Sequence, residues 1–150
     1  MADTRFTGSE PKGSSVLIGS EPKGSSLRVL VIDDSELTLD FLRMLLGRSG
    51  IETRAILELE ALDAELADGW RPDAVLADVN MPDLEPGEVV VKLRDDARLV
   101  DVPIVLCSGM ESEPLSTLAA TCGADGFASK ADGLDNLPNT LRSLCRRDAV

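Results

Sequence analysis

The 150-residue chain carries 27 acidic against 15 basic side chains, a formal net charge of −12, and no histidine. That balance argues against direct binding to nucleic acid or an anionic membrane, since both need basic patches. The missing histidine excludes Ser-His and Cys-His nucleophilic chemistry.

Hydrophobic residues make up 43% of the chain and aromatics only 3%, so the core must be aliphatic, and the length suits one domain. Cys107, Cys122 and Cys145 are odd in number and lack zinc spacing, which suits small core thiols in a reducing compartment. No signal-peptide pattern opens the chain and no apolar run reaches transmembrane length, so a cytoplasmic protein is expected.

Residues 1–26 contain a direct repeat: GSEPKGSS stands at 8–15 and again at 19–26, separated by Val16-Leu17-Ile18. Its Gly, Ser and Pro content predicts a flexible tail, or else a short strand in which Val16-Leu17-Ile18 pairs with a sheet edge. From residue 27 the pattern turns regular. Apolar strands at 28–32, 51–56, 73–77, 102–107 and 125–128 alternate with helical stretches at 35–48, 58–68, about 87–96, about 113–122 and 134–146. Leu134, Leu137, Leu141 and Leu144 give the last helix an apolar stripe, while Gly47, Gly50 and Gly123 punctuate helix ends. The basic run from Arg142 to Arg147 suits a helix C-terminus. Five strand–helix units imply a doubly wound α/β fold with a parallel sheet covered on both faces. Ligands of such sheets bind at the carboxyl ends of the strands.

Polar groups gather at those ends. The first strand runs VLVIDDSE into Asp33 and Asp34; the third delivers Asp78, with Asn80 two residues on; the fourth ends at Ser108 and the fifth at Lys130. Each has a plain alternative: Asp33 and Glu36 as a capping box, Asp78 as an Asx-turn residue, Ser108 as a turn residue, and Lys130 as a solvated surface charge. Taken together, they converge on one crevice. Three carboxylates brought close repel strongly, and a divalent cation with one lysine would balance them. Hard oxygen donors favour Mg²⁺ over zinc. One carboxylate could then attack phosphorus, and Asp78, alone on its strand, is the candidate. Lys130 and the Ser108 hydroxyl could hold phosphoryl oxygens, and the main-chain carbonyl of Asn80 could join the metal shell.

The motifs VLVIDDSE, VLADVNMPD, PIVLCSG and GFASK resemble the receiver domain of bacterial two-component response regulators. So do the separations: 44 residues from Asp34 to Asp78, 30 on to Ser108 and 22 on to Lys130. The resemblance covers about residues 27–146 and implies a flavodoxin-like five-stranded sheet of order 2-1-3-4-5, with residues 27–150 as the receiver domain. It implies that Asp78 is the phosphoacceptor, and that Asp33 and Asp34 are the Mg²⁺ acid pair, Asp34 binding directly. Ser108 and Phe127 match the hydroxyl and aromatic switch positions, and Asn80 and Met110 match positions that tune phosphate lifetime. The implied donor is a sensor histidine kinase or His-phosphotransfer protein. The implied output is a change in protein contacts on the face of the fourth helix, fifth strand and fifth helix.

The chain departs from the family pattern at four places. Ala131 stands where many members carry proline after a cis bond, Phe127 replaces a common tyrosine, and Ser108 stands where threonine is frequent. The MPDLEPGE loop looks one residue long, with Pro86 expected at the first position of the third helix.

The expectation is a stand-alone receiver of chemotaxis or phosphorelay type, a monomer or weak dimer. It would be no turnover enzyme, catalysing only its own phosphorylation and dephosphorylation. A phosphorylation-independent protein-binding module is the alternative reading. An aspartate-nucleophile phosphohydrolase is a remoter one, because Asn80 stands where such enzymes carry their second acid.

Overall fold

The computed structural model describes residues 26–146. The duplicated tail, its final Ser26 apart, lies outside the described residues together with the last four, so neither reading of Val16-Leu17-Ile18 is addressed.

The elements run β1 Arg28–Ile32, α1 Glu36–Arg48, β2 Glu52–Ile56, α2 Leu62–Glu65, β3 Ala74–Asp78, α3 Glu88–Arg94, β4 Ile104–Ser108, α4 Ser112–Cys122, β5 Gly126–Ser129 and α5 Leu137–Arg146. The strands form one sheet of order β2-β1-β3-β4-β5, parallel throughout, as expected for a doubly wound fold. Period-two alternation divides the apolar strand residues between two cores. Leu30, Ile32, Val75, Ala77, Ile104 and Leu106 pack beneath α3 and α4 with Val89, Leu93, Leu115 and Ala119. Val29, Val31, Ala74, Leu76, Val105 and Cys107 face Leu42 and Leu46 of α1 and Leu137 and Leu141 of α5. Burying both faces of the central strands explains their unbroken aliphatic runs, at about 1.5–3 kcal/mol for each fully buried side chain.

Several local expectations need correction. The second helical stretch, expected over 58–68, is a 3-10 turn at Leu59–Ala61 followed by a four-residue α2. Leu62 and Leu66 do point inward at helical spacing. However, the Arg54 guanidinium takes the carbonyl of Glu65 at 2.9 Å and Arg71 takes that of Leu66 at 3.0 Å, which satisfies the terminal carbonyls and stops the helix. The third helix starts at Glu88, after a left-handed Gly87 N-cap with φ of 80°, so Pro86 precedes the helix instead of opening it. The fifth begins at Leu137, three residues later than expected, although Leu134 is still buried. Ser35 rather than Asp33 caps α1, accepting the Thr38 N–H at 3.2 Å. Gly47 lies inside α1, and the left-handed turn beyond that helix is made by Gly50. Cys107 is buried as expected of a core thiol, whereas Cys122 and Cys145 are only partly buried. No described peptide bond is cis, and Lys130–Asp132 form a 3-10 turn around Ala131, the position where proline was the family expectation.

Candidate functional site

Parallel pairing puts the carboxyl ends of β1, β3, β4 and β5 side by side, with Asp78 opposite Cys107 and Ser108 opposite Ser129. One carboxylate oxygen from each of Asp33, Asp34 and Asp78 lies within 4.8 Å of the others. The three environments differ. Asp33 is 3% exposed, Asp78 is half-buried and Asp34 faces solvent. Asp33 accepts the Ser35 N–H at 2.9 Å and has the Lys130 Nζ 3.6 Å away, which compensates its burial.

The carboxyl of Asp78 is pushed above the ordinary carboxylate range. Burial is the main cause and the Asp33 charge the next, opposed by the Asn80 N–H and by the Lys130 charge, with Asp34 adding a little repulsion. The Asn80 N–H, two residues on, is the contact that an Asx-type turn at Asp78 would make.

Of the residues singled out from the sequence, Asp33, Asp34, Asp78 and Lys130 thus meet at one point. Lys130 stands against Asp33 in ion-pair contact. Ser108 is 2% exposed, and its hydroxyl accepts the Met110 N–H at 3.1 Å. Met110 is partly buried and Asn80 exposed. Phe127 lies three residues before Lys130, back along β5 from the crevice: it packs, partly buried, on the α3/α4 core and lines a shallow surface hollow with Asn136, Thr140 and Leu144.

Two neighbours were not named from the sequence as site residues. Cys107 sits beside the cluster, and burial pushes its thiol up to about 11, with Asp33 and Asp78 adding to the rise and Lys130 opposing it. It is therefore a protonated packing residue at neutral pH. Ser129 is buried and donates to the Met110 carbonyl at 2.6 Å. Only the strand register, which the sequence does not display, pairs it with Ser108.

The donor set fits a hard divalent ion: it offers oxygen ligands alone, carries three negative charges and is open to solvent on the Asp34 side. Among the described residues no helix is long and apolar enough to cross a membrane.

Comparison with known proteins agrees with this fold. The family model described as the response regulator receiver domain matches residues 29–142. The polar-differentiation response regulator DivK of Brucella anthropi is 31% identical over 116 residues, covering 77% of this chain and 93% of that protein. The response regulator MprA of Mycobacterium avium is 34% identical over 122 residues, covering 81% of this chain and 52% of the relative, so the chain spans about half of that protein's length. Among solved structures, the chemotaxis protein CheY4 of Vibrio cholerae shares the fold at a TM-score of 0.67 and 24% identity, over 79% of this chain and 98% of its own. The BeF3-activated N-terminal receiver domain of Klebsiella pneumoniae RstA does so at a TM-score of 0.67 and 21% identity, over 79% and 98%.

Proposed function

The chain belongs to the response regulator receiver domain family, and from that premise we propose that it relays a signal by accepting a phosphoryl group on Asp78 from a phosphohistidine of a partner protein. The observation that carries this reading is the meeting of three carboxylates and one lysine at the strand ends, where the half-buried Asp78 carboxyl is raised in pKa.

In the transfer, an Asp78 carboxylate oxygen attacks phosphorus. A P–O bond forms, the P–N bond to the donor imidazole breaks, and the imidazole leaves with the bonding pair and takes up a proton. The product is an acyl phosphate. Asp33, Asp34, Asp78 and the Asn80 main-chain carbonyl would hold Mg²⁺, which supplies positive charge for the phosphoryl oxygens. The chain's own groups do the positioning. The Asn80 N–H orients the Asp78 carboxylate, and a raised pKa makes its oxygen more basic once ionised. Asp33 keeps the Lys130 ammonium at the crevice, and Ser108 brings a hydroxyl to the neighbouring strand end. Water attacking the same phosphorus later would return free Asp78, so the protein turns over only its own phosphoryl group.

The donor must cover the rim of this crevice. Beside Lys130, the α1 residues Leu37, Phe41 and Met44 join Leu134 in an open apolar groove of about 770 Å³, and Leu37 is 80% exposed. A helix carrying the phosphohistidine fits there, because only an occupant of that groove both buries these side chains and reaches the site that Lys130 lines. Output passes through α4, β5 and α5, the elements around Phe127.

The test is intact-mass measurement after incubation with Mg²⁺ and acetyl phosphate. Wild-type protein should gain one phosphoryl group and Asp78→Asn none. Equal labelling of the variant would refute Asp78 as acceptor.

A further inference from the structure

Ser108 and Ser129 are register partners at the ends of β4 and β5, and strand alternation puts both on the sheet face that α4 covers. They hold the same residue from two sides. Ser108 Oγ accepts the Met110 N–H at 3.1 Å, while Ser129 Oγ donates to the Met110 carbonyl at 2.6 Å. Two residues further on, the Ser112 hydroxyl is hydrogen-bonded to the Asp132 carboxylate. The segment between β4 and α4 is therefore tied, at 110 and 112, to residues 129 and 132, which bracket Lys130. Gly109, inside that segment, has open space where a side chain would stand.

We propose that Ser129 is a positioning residue that acts through Met110, latching the β4–α4 segment in its resting place and so setting how readily Ser108 is released toward a phosphoryl group on Asp78. The inference rests on the phosphoacceptor reading given above. A Ser108 hydroxyl that turns toward Asp78 takes the acceptor away from the Met110 N–H. The Met110 peptides must then re-seat, and the Ser129 bond opposes that movement, with Ser112–Asp132 as a second tether. A bond made only in the resting form biases the two-state equilibrium by its net worth. Deleting it should favour the phosphoryl-bound form by about two- to ten-fold.

The experiment measures beryllofluoride affinity in Mg²⁺, and the initial rate of phosphorylation by acetyl phosphate, on the full chain and its variants. Ser129→Ala should bind beryllofluoride about two- to ten-fold more tightly and be phosphorylated faster, with Mg²⁺ affinity alone unchanged. Ser129→Thr, which keeps the hydroxyl, should return to wild-type values. Ser112→Ala, at the less buried tether, should shift in the same direction as Ser129→Ala. Wild-type or weaker beryllofluoride affinity in Ser129→Ala would overturn the latch. Should that variant fail to fold, wild-type affinity in Ser112→Ala would overturn it instead. A wild-type protein that takes neither beryllofluoride nor a phosphoryl group would bring down the phosphoacceptor reading and the latch together. A responsive wild type with unmoved variants would overturn the latch alone.

Discussion

Replacing Asp78 by asparagine should make the metal-free protein more stable at neutral pH, although it removes the proposed reactive group. Two unit charges 4.8 Å apart repel by about 3.5 kcal/mol at an effective dielectric near 20 and by about 1 kcal/mol in bulk water. Asp34 is exposed, so its repulsion of Asp78 lies toward the lower figure. Asp33 is buried, and Lys130, 3.6 Å from it, offsets part of its repulsion of Asp78, while burial of the Asp78 carboxyl itself is the largest penalty that the substitution relieves. An asparagine oxygen can still accept the Asn80 N–H, so little is lost locally. The net gain is about 1–2 kcal/mol, a rise in melting temperature of roughly 3–10 °C for a domain of this size.

The pH dependence carries the sign. A carboxyl whose folded pKa is raised stabilises the fold below its unfolded pKa and loses that contribution as pH rises through the folded value. The advantage of Asp78→Asn should thus be full at pH 7 and shrink on acidification as wild-type Asp78 takes up its proton. Melting curves in EDTA at pH 7 and near pH 4 measure it. Adding Mg²⁺ should raise wild type more than the variant. A variant less stable than wild type in EDTA at pH 7, or an advantage that does not shrink in acid, would refute the charge argument.

Two further outcomes follow from neighbouring contacts. Lys130→Ala removes the cation 3.6 Å from buried Asp33 and should cost about 1–3 kcal/mol in EDTA, with saturating Mg²⁺ restoring part of it; urea titrations with and without the metal read the difference. Gly87→Ala should cost about 1–3 kcal/mol by urea titration, because φ is 80° there and an added Cβ would stand 3.3 Å from Leu118 Cδ1 and 3.4 Å from Cys122 Sγ.

How much of this could be read in advance depended on range. The five strands were legible because β1, β3 and β4 bury both faces and so must be aliphatic without interruption. The charged site was legible because parallel topology alone delivers every strand end to one edge. What failed were features set by contacts distant in sequence. The spacing of Leu59, Leu62 and Leu66 fits a helix, but Arg54, from β2, and Arg71, from the β3 approach, capture the carbonyls that would have continued it. Gly87 opens α3 in the left-handed region because its Cα lies against α4, a packing partner some thirty residues on that the MPDLEPGE loop does not announce. Ser129 was invisible for the same reason: its meaning lies in the register with Ser108 and in the Met110 carbonyl.

The site itself shows why three identical side chains need not act alike. Burial falls from Asp33 through Asp78 to Asp34, and the compensating contacts fall in the same order. Asp33 has both a backbone N–H and an ammonium beside it, which hold its carboxylate in place. Asp34 needs neither, because water solvates it, and so it can adjust to an incoming cation at small cost. Asp78 lies between them, desolvated enough to raise its pKa yet holding the single backbone N–H contributed by Asn80. A carboxylate in that intermediate position gains most from an arriving positive charge and keeps a lone pair free for phosphorus. The proposed division into anchor, metal ligand and nucleophile therefore follows from burial and from the polar partners each carboxylate meets. Exchanging the environments of Asp33 and Asp78, with the sequence of charges unchanged, would exchange their chemistry.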